Sequence, residues 1–380
     1  MKEIRIGYTG GGTGGHIYPL LAVAEEVKRA FGSQNNIEAK YYYFGAPFEY
    51  ANDFISLGIK IVKIIPFKLR RYFSIMNIFD ALKMPFAFLQ AIWKMFIIMP
   101  DVVFSKGGTG SLPVVFSAYL FSVPVFVHES DSVPGSSNSL SFKLAKRIGV
   151  AFEKTLDYIK SDKVAVVGNP IRSFLTEKTD VDKEKAKKIF GFDSSVPLIL
   201  VLGGSQGSVR INDFIIEIAP EILSRYQILH QTGAENFDSI RSEVAVAMEK
   251  LLPAERARYK IVNYFKKEIK EALIASDIVI SRSGSGAIFE IAYFGRPSIL
   301  IPLAESARNH QFYNAYEYSK TGGCLVVEEE NLKNTLFINQ LDKILKNEEI
   351  ISSMSQKALT FSRPMSATVI AKELINLTIS

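Results

Sequence analysis

Three glycine-rich loops carry the residues of this chain that are best suited to chemistry. The first, Gly10–Gly15, has five glycines in six positions and is followed at once by His16. The second is Gly203–Gly207, and the third is Arg282–Ala287. Glycines let the backbone approach a ligand closely, and the N-terminus of a following helix favours an anion or a polar sugar. The loops therefore predict a polar, anionic ligand such as a diphosphate, which the hydroxyl of Ser205 would also suit.

The first loop satisfies the pattern G-x-G-x-x-G after a strand, which also occurs in dinucleotide-binding proteins. Those proteins need an acidic residue at the end of the second strand to bind the ribose. Here that strand ends Tyr42-Tyr43-Phe44-Gly45, and Glu38 lies at its other end, so a nicotinamide dinucleotide is disfavoured. A tight turn without a ligand is the other alternative. The chain has no GxxxxGK[ST] pattern, which excludes a P-loop NTPase at the level of motifs.

Two side chains next to these loops are candidates for specific roles. His16 is a candidate general base, because an imidazole titrates near neutral pH. The alternative is that His16 orients a substrate or holds its loop. Glu290 follows the third loop by about one helical turn, where a carboxylate could accept hydrogen bonds from ribose hydroxyls. The alternative for Glu290 is a solvated acid on a helix surface.

Composition narrows the class of protein. The chain has 380 residues, of which 48% are hydrophobic and 12% aromatic, so it can bury a large core and is neither disordered nor collagen-like. Cys324 is the single cysteine, which excludes an internal disulfide framework and suits a reducing compartment. A net charge of +6 is too mild to indicate nucleic acid. The N-terminus lacks the apolar region of a signal peptide, and we expect a cytosolic protein.

Strand-like segments alternate with longer helix-like stretches, which predicts parallel sheets covered by helices. The glycine loops repeat about half a chain apart, so we expect two doubly wound domains, with the chain crossing between them near Lys163–Arg172. The predicted strands of the first half are Ile4–Thr9, Ala39–Phe44, Ile59–Ile65, Asp101–Ser105 and Pro124–His128, and those of the second half are Pro197–Leu202, Gln227–Gln231, Tyr259–Asn263, Asp277–Ser281 and Pro297–Pro302.

The segment from Phe67 to Lys94 combines five basic residues and one acid with seven aromatics. This combination predicts a patch that faces an anionic membrane surface. The alternatives are a helix whose aromatics belong to the core and, third, a nucleic-acid surface. The apolar window Met84–Met99 is shorter than the ~20 residues of a spanning helix, so we expect none. The candidate patch residues are Lys68, Arg70, Arg71, Phe73, Phe79 and Trp93.

The motifs, taken in order over about residues 4–330, resemble the MurG family. Its members are the UDP-N-acetylglucosamine–N-acetylmuramyl-(pentapeptide) pyrophosphoryl-undecaprenol N-acetylglucosamine transferases of peptidoglycan synthesis. The segments that carry the resemblance are Gly11–His16 with Pro19 and Leu21–Ala24, His128–Glu129, Gly168–Arg172, Gly203–Gly207, His230–Gly233, Arg282–Gly284 with Glu290, and His310–Gln311 with Asn314–Ala315.

The resemblance implies an α/β protein of the glycosyltransferase-B fold, in which two Rossmann-like doubly wound domains face a cleft. Residues 1–165 with 365–380 would form the acceptor- and membrane-binding domain, and residues 166–364 the UDP-sugar domain. His16 would be the catalytic base and Glu129 its rival, unless Glu129 only fixes its loop. The residues implied to bind UDP-GlcNAc are Thr13, Gly14, Gly15, Asp131, Arg172, Ser205, Gln206, Lys266, Gly284, Ser285, Gly286, Ala287, Ile288, Phe289, Glu290 and Gln311.

The implied activity is inverting transfer of GlcNAc from UDP-GlcNAc to the polyprenyl-linked lipid I, which gives lipid II for cell-wall synthesis, cell shape and division. It would take place peripherally, on the cytoplasmic face of the cell membrane, with proteins of cell-wall assembly as further partners. The alternatives are another lipid acceptor such as diacylglycerol, a UDP-GlcNAc 2-epimerase, and a weakly active scaffold. No cofactor is required. Asp180-Val181-Asp182 matches the D-x-D of metal-dependent transferases, but it precedes lysines and is interpreted as the start of a helix.

Four positions depart from the family pattern. Thr109 stands where Tyr is usual, Ser130 and Asp131 stand where Gln and Asn are usual, and Ala287 stands where Thr is common. The change at Asp131 adds a negative charge where the donor sugar and the acceptor should meet. These departures concern the implied binding of the acceptor more than the implied binding of the nucleotide.

Overall fold

The computed structural model describes residues 2–32, 37–67, 76–204 and 207–379. The chain divides into two compact units, Met1–Ser173 with Arg363–Ser380, and Phe174–Ser362. Each unit is built on one parallel sheet, as the alternation of strands and helices predicts.

The first unit contains a seven-stranded sheet in the order β3-β2-β1-β4-β5-β6-β7, with every neighbouring pair parallel. The order reverses between β1 and β4, which makes the sheet doubly wound. Its strands are Lys2–Thr9 (β1), Ile37–Phe44 (β2), Ile59–Val62 (β3), Val102–Ser105 (β4), Val125–Glu129 (β5), Arg147–Val150 (β6) and Val164–Val166 (β7).

The second unit repeats this plan with a six-stranded parallel sheet in the order β10-β9-β8-β11-β12-β13. Here the order reverses between β8 and β11. Its strands are Leu198–Leu202 (β8), Gln227–Gln231 (β9), Tyr259–Val262 (β10), Ile278–Ser281 (β11), Ser298–Leu300 (β12) and Cys324–Val326 (β13).

Helices connect the strands of both units. In chain order they are Gly14–Gly32 (α1), Ala51–Ser56 (α2), Met76–Ile98 (α3), Leu112–Leu120 (α4), Ser136–Ser141 (α5), Ser173–Thr176 (α6), Lys183–Ile189 (α7), Val209–Ile222 (α8), Phe237–Ala247 (α9), Pro253–Arg256 (α10), Ile269–Ala275 (α11), Ser285–Tyr293 (α12), His310–Ser319 (α13), Asn334–Leu345 (α14), Glu348–Phe361 (α15) and Ser366–Leu377 (α16).

Helix α1 supplies much of the core of the first unit. Its apolar residues recur at helical spacing, so that Ile17, Leu20 and Val27 lie on one buried face. The same cluster includes Ile370 and Leu374 of α16, which packs along α1 although it follows the whole second unit in the chain. The last helix therefore completes the core that the first helix begins.

Strand β8 shows why near-continuous apolar runs form these sheets. All five of its residues are buried, and alternate side chains point to opposite faces. Ile199 and Val201 pack in the cluster that contains helices α8 and α14, where the rings of Phe214 and Phe337 meet edge to face at 4.9 Å. Leu200 packs in the other cluster, with helix α11. Helices cover both faces, which explains the absence of polar residues from the strand.

The predicted strands are found, but three further ones are not predicted by the pattern. These are β6, β7 and β13, each of three or four residues. A segment this short carries too few alternations to be distinguished from a loop. Strand β7 lies within the segment 163–172 that was expected to connect the domains, and the two units divide after it, between Ser173 and Phe174.

Helix α3 is longer than the apolar window suggests. Among the described residues, one helical segment, Asp80–Ile98, is long enough and apolar enough to cross a membrane, judged by length and composition alone. Its mean hydropathy is 1.4, and 17% of the segment is buried. The helix is longer than the predicted window because it extends that window at its N-terminal end, and the expectation that it does not span a membrane stays a prediction. Ala87, Ala91 and Met95 nevertheless pack on the first unit along one face of α3, at intervals of four residues.

Candidate active site

All three glycine loops follow the strands at which a sheet reverses its order. The first loop follows β1, and its neighbour in the first unit is Gly107–Gly108 after β4. In the second unit, Gly203–Gly207 follows β8 and Arg282–Ala287 follows β11. Ligands of open α/β sheets bind outside the carboxyl ends of the strands at this point of reversal. Each unit thus has one candidate site, built from two loops.

Two contacts with Thr13 of the first loop fix the position of His16. The Nδ1 atom of His16 lies 3.0 Å from the Thr13 hydroxyl, and the backbone N–H of His16 donates to the Thr13 carbonyl oxygen at 2.9 Å. Gly14 and Gly15 open helix α1 directly before His16. The imidazole is therefore held at the first turn of a helix by the residue three positions earlier.

The loop after β4 lies against the first loop. Gly108 has a φ of +89°, and a Cβ atom on it would come within 2.9 Å of the Gly11 Cα and 3.9 Å of the His16 Nε2. Gly107 has a φ of +87° and is as tightly placed, since a Cβ there would lie 2.3 Å from the Asn138 Oδ1. Both positions require glycine because of conformation and space.

The carboxylate of Glu129 is buried at the end of β5 and fully engaged. It accepts hydrogen bonds from the backbone N–H groups of Asp131 and Gly135, both at 3.0 Å, and from the Asn138 side-chain amide at 2.9 Å. Burial raises the pKa of Glu129, and the nearby Asp131 carboxylate raises it further. These contacts support the alternative that Glu129 fixes its own loop. Its role as a rival base stays a prediction.

Lys106 is the residue of this site that the sequence patterns did not single out. Its ammonium group is buried, and its Nζ lies 2.7 Å from the His128 Nδ1 and 3.2 Å from the Asn169 Oδ1. It also donates to the Ser130 hydroxyl. Burial lowers the pKa of Lys106 to about 8. The available signal was a lysine placed between a buried strand and two glycines, where a solvated charge is not expected.

Arg172 and Asp131 complete the predicted residues of the first unit. The Arg172 guanidinium stacks over the ring of Tyr18 on α1, with its Cζ 5.4 Å from the ring centroid. The carbonyl oxygen of Asp131 accepts a hydrogen bond from the Thr155 hydroxyl at 3.0 Å. The first unit therefore brings Thr13–His16 and Glu129–Asp131 to the carboxyl ends of its central strands, and holds Arg172 against α1.

The third loop begins helix α12 in the second unit. Arg282 donates to the Ser208 hydroxyl at 2.6 Å and pairs with the buried Glu329. Ser208 also caps helix α8, so Arg282 links the two loops at the carboxyl edge of this sheet. Cβ atoms on Gly284 and Gly286 would meet nothing within 4 Å, so the start of α12 is open to a ligand.

The remaining residues of α12 divide into buried and accessible ones. Ile288 and Phe289 are buried, and the Phe289 ring packs on Phe361 with centroids 4.9 Å apart. Only the backbone of Ile288 and Phe289 could therefore contact a bound sugar nucleotide. The Ser285 side chain is buried, whereas Ala287 and Glu290 are partly exposed. Glu290 is thus placed where its carboxylate can reach a ligand.

Two of the residues expected to bind the diphosphate, Ser205 and Gln206, lie outside the described residues. Beside them, the Gly204 carbonyl accepts a hydrogen bond from the Gln231 side chain at 3.0 Å. The carbonyl oxygen of the same side chain accepts from the backbone N–H of Phe265, also at 3.0 Å. Gln231 therefore ties the second loop to the segment directly before Lys266, which was expected to bind UDP-GlcNAc.

Gln311 is held at the start of α13. Its side-chain oxygen accepts a hydrogen bond from the backbone N–H of Leu303 at 3.1 Å, and its carbonyl oxygen accepts from the Ser283 hydroxyl at 2.7 Å. Arg308 and Asn309 precede it with φ angles of 54° and 53°, a region that non-glycine residues rarely adopt. Strained backbone of this kind clusters at ligand-binding sites.

Most of the predicted membrane patch lies outside the described part of the chain. This applies to Lys68, Arg70, Arg71 and Phe73, and to the side chain of Phe79, whereas Trp93 is 61% exposed on α3. Helix α4 extends the apolar surface of α3 in a way that the sequence did not indicate. We define the α3–α4 surface by its large exposed apolar side chains, which are Leu82, Phe86, Leu89, Trp93, Phe96, Ile97, Phe116, Tyr119 and Leu120.

Among the described residues, no group of three or more His, Cys, Asp or Glu side chains is placed to hold a metal ion. Asp182 of the D-x-D motif caps helix α7, since its carboxylate accepts a hydrogen bond from the Lys185 backbone N–H at 2.8 Å. The helix start predicted at this motif is therefore present.

Comparison with known families matches both units. Residues 6–150 match the glycosyltransferase family 28 N-terminal domain, and residues 198–373 match the glycosyltransferase family 28 C-terminal domain. A relative from Clostridium tetani is 38% identical over 355 residues, which cover 92% of each chain. A relative from Clostridium botulinum is 35% identical over 371 residues, which cover 94% of this chain and 96% of the relative. Both are named UDP-N-acetylglucosamine–N-acetylmuramyl-(pentapeptide) pyrophosphoryl-undecaprenol N-acetylglucosamine transferase.

Solved structures show the same fold. The crystal structure of MurG from Acinetobacter baumannii has a TM-score of 0.74 at 21% identity, covering 98% of this chain and 99% of that one. The UDP-GlcNAc 2-epimerase from Neisseria meningitidis, bound to UDP-GlcNAc, has a TM-score of 0.68 at 16% identity and covers 99% and 100%. At these identities the likeness concerns the fold alone. The prediction of two Rossmann-like domains of the glycosyltransferase-B class is confirmed.

Proposed function

This chain belongs to glycosyltransferase family 28 and, within it, to the MurG transferases, and from that premise we propose that it transfers N-acetylglucosamine from UDP-GlcNAc to lipid I. The acceptor is undecaprenyl-pyrophosphoryl-N-acetylmuramyl-pentapeptide, and the product is lipid II for peptidoglycan synthesis. The observation that carries the proposal is the 35–38% identity to relatives of that name over more than nine-tenths of the chain.

The reaction is a displacement at the anomeric carbon of the donor. An acceptor hydroxyl forms the new bond to this carbon as the bond to the UDP oxygen breaks, and the configuration inverts. The hydroxyl proton needs a base, for which His16 is our candidate. For Nε2 to accept this proton, Nδ1 must carry its own hydrogen and donate it to the Thr13 hydroxyl, which lies 3.0 Å away. Thr13 would then select the reactive tautomer of His16.

The two units divide the substrates between them. We assign the acceptor to the first unit, because it holds His16 and the α3–α4 surface. We assign the donor to the second unit, with the diphosphate at the loops after β8 and β11. The open start of α12 at Gly284 and Gly286 supports this assignment, since backbone N–H groups and the helix dipole favour an anion there. Glu290 is our candidate for the ribose hydroxyls, and Gln311 is a further donor-binding candidate of the same unit. Arg172 lies in the first unit, and its predicted contact with the donor stays a prediction.

The α3–α4 surface gives the proposed location of the enzyme. Phe86 and Trp93 are 63% and 61% exposed, and Phe116 of α4 packs edge to face on Phe88 of α3 at 5.6 Å. A contiguous apolar surface of this kind marks a binding face on a folded protein. A lipid-linked acceptor requires the enzyme to work at the bilayer, so we place this surface on the cytoplasmic leaflet. Lys68, Arg70 and Arg71 remain candidates for contact with anionic headgroups.

Labelled UDP-GlcNAc incubated with purified protein and with either lipid I or diacylglycerol in detergent tests the proposal. We expect label in lipid II and stoichiometric release of UDP with lipid I alone. Transfer to diacylglycerol would show that lipid I is the wrong acceptor. Conversion of UDP-GlcNAc into its 2-epimer without an acceptor would show that the protein is an epimerase and not a transferase. Nucleotide binding without any turnover would favour a scaffold and overturn the transferase assignment.

A further inference from the structure

Lys106 follows β4 directly and has no part in the mechanism proposed above. Its side chain is 1% exposed, and its ammonium group contacts three polar atoms, the His128 Nδ1, the Ser130 hydroxyl oxygen and the Asn169 Oδ1. An ammonium group has three N–H donors and no acceptor, so these contacts use its full capacity. One side chain thus joins the end of β4, the end of β5 and the loop that contains Asn169.

The direction of these hydrogen bonds is fixed by His128. Its Nε2 atom lies 2.8 Å from the Gly168 carbonyl oxygen, which can only accept, so Nε2 carries the hydrogen. The Nδ1 atom is then the acceptor for Lys106. Burial lowers the pKa of His128, and the charge of Lys106 lowers it further, which agrees with a neutral ring. Lys106 must therefore be the donor in this contact.

The charge of Lys106 is balanced by its neighbours. A buried ammonium group is costly unless opposite charges and hydrogen bonds compensate it. The carboxylates of Glu129 and Asp131 act in this sense, since both raise the pKa of Lys106 against the effect of burial. Asp131 and Ser130 are two of the positions at which this chain departs from its family's pattern. Lys106 accounts for both departures. Ser130 accepts a hydrogen bond from Lys106, and the carboxylate of Asp131 offsets the charge of Lys106.

The network also reaches the candidate base. The Asn138 amide donates to Glu129 Oε2 and to the His128 carbonyl oxygen, and its Oδ1 lies against Gly107. Gly108, the next residue, lies against Gly11 and near the His16 Nε2. A shift of the β4 and β5 ends therefore changes the surroundings of His16.

We propose that Lys106 is a positioning residue for the transfer reaction, which holds the ends of β4 and β5 and the Gly168–Asn169 loop in the arrangement that His16 requires. Its effect on turnover rests on the proposed function, whereas its effect on these loops does not. The titratable groups that face it are His128, Glu129 and Asp131. Above a pH of about 8 the amine keeps two N–H donors for three acceptors, so the arrangement loosens and turnover falls.

Amide hydrogen exchange tests the positioning itself. In Lys106→Met the apolar stem is kept and the charge removed, and we expect exchange at least about tenfold faster in segments 105–108, 128–131 and 168–169, as the loss of about 1.4 kcal/mol of local stability implies. The matched control is Lys143→Met, which removes an exposed lysine of the same unit. Unchanged protection in Lys106→Met overturns the proposal, whether or not the protein transfers sugar.

Kinetics test the consequence for the reaction. We expect kcat of Lys106→Met to fall about 10- to 100-fold, with a KM for UDP-GlcNAc within about threefold of the original, because the donor is assigned to the second unit. The alkaline decline of kcat near pH 8 should disappear. If Lys106→Met has the kcat of the wild-type protein and the same decline of kcat at alkaline pH, the proposal is overturned. If the folded wild-type protein transfers no sugar, the proposed function is overturned instead. The hydrogen-exchange result then decides whether Lys106 positions the loops.

A milder variant covers the case in which Lys106→Met does not fold. Ser130→Ala removes one acceptor and leaves the lysine in place. The neutral amine then has two N–H donors for the two remaining acceptors, so the alkaline decline of kcat should weaken or disappear. An unchanged alkaline decline in this variant contradicts the proposed role.

Discussion

Gly108 and Gly11 lie so close that a single Cβ atom on Gly108 would come within 2.9 Å of the Gly11 Cα. The loops after β1 and β4 are therefore in direct backbone contact. The positive φ of Gly108 adds a second reason against any other residue.

We expect Gly108→Ala to lower the free energy of unfolding by about 1–3 kcal/mol and to lower kcat strongly, since the loops must separate. Thermal denaturation and steady-state kinetics measure the two effects. The control is Gly110→Ala, because a Cβ at Gly110 meets nothing within 4 Å and this variant should behave as the original protein. Equal kcat values for both variants would remove the loop contact from the mechanism.

Replacing His16 by Ala should lower kcat by about 10²–10⁴-fold, the usual contribution of a positioned general base. The KM for UDP-GlcNAc should change little, because the nucleotide is assigned to the second unit. Thr13→Val should lower kcat by a smaller factor, since it removes only the hydroxyl that lies 3.0 Å from the His16 Nδ1. A kcat for His16→Ala equal to the original would exclude His16 as the base.

Removal of divalent metal ions should leave the initial rate unchanged. Asp182 caps helix α7 through the Lys185 backbone N–H, and its carboxylate is committed to that contact. We therefore expect equal rates in EDTA and in Mg²⁺, and an unchanged rate for Asp182→Asn. A rate that is lost in EDTA and restored by Mg²⁺ would show that the diphosphate needs a metal ion.

Charged residues on the α3–α4 surface should weaken membrane binding. Phe86→Glu and Trp93→Glu each place a carboxylate at a position that is more than 60% exposed, so folding should be preserved. We expect each to lower the partition coefficient for anionic liposomes, measured by sedimentation, by about 10- to 100-fold, because burial of one aromatic side chain contributes about 1.5–3 kcal/mol. Val246→Glu, at an apolar position of the second unit that is 73% exposed, is the control. Equal sedimentation of all three variants would contradict the proposed membrane face.

The sequence predicted those parts of the molecule in which a local pattern decides the structure. Strand β8 is such a case, because an apolar run before glycines can hardly be anything but a central parallel strand. The glycine loops were correctly placed at the strand ends, since close backbone approach requires glycine. That these loops flank the reversal of each sheet is a property of strand order, which no local pattern contains.

Lys106 and Glu129 show what could not be predicted. The lysine meets His128, Ser130 and Asn169, residues that lie 22 to 63 positions away, and only the folded sheet brings them together. Glu129 was a candidate base by residue type, and its three hydrogen-bond donors became visible only in three dimensions. Burial and hydrogen bonding depend on tertiary contacts, and these decide whether a carboxylate can act.

The packing of α16 on α1 has a consequence for synthesis of the protein. The first unit is translated through Ser173, but its covering helix follows the complete second unit, residues 174–362. At roughly 5–20 residues per second, the ribosome needs about 10–40 seconds to make that intervening stretch. During this interval the face of α1 that Ile370 and Leu374 later cover stays uncovered. Native assembly of the first unit is therefore completed only after the whole second unit has been synthesised, and the second unit can fold before the first is finished.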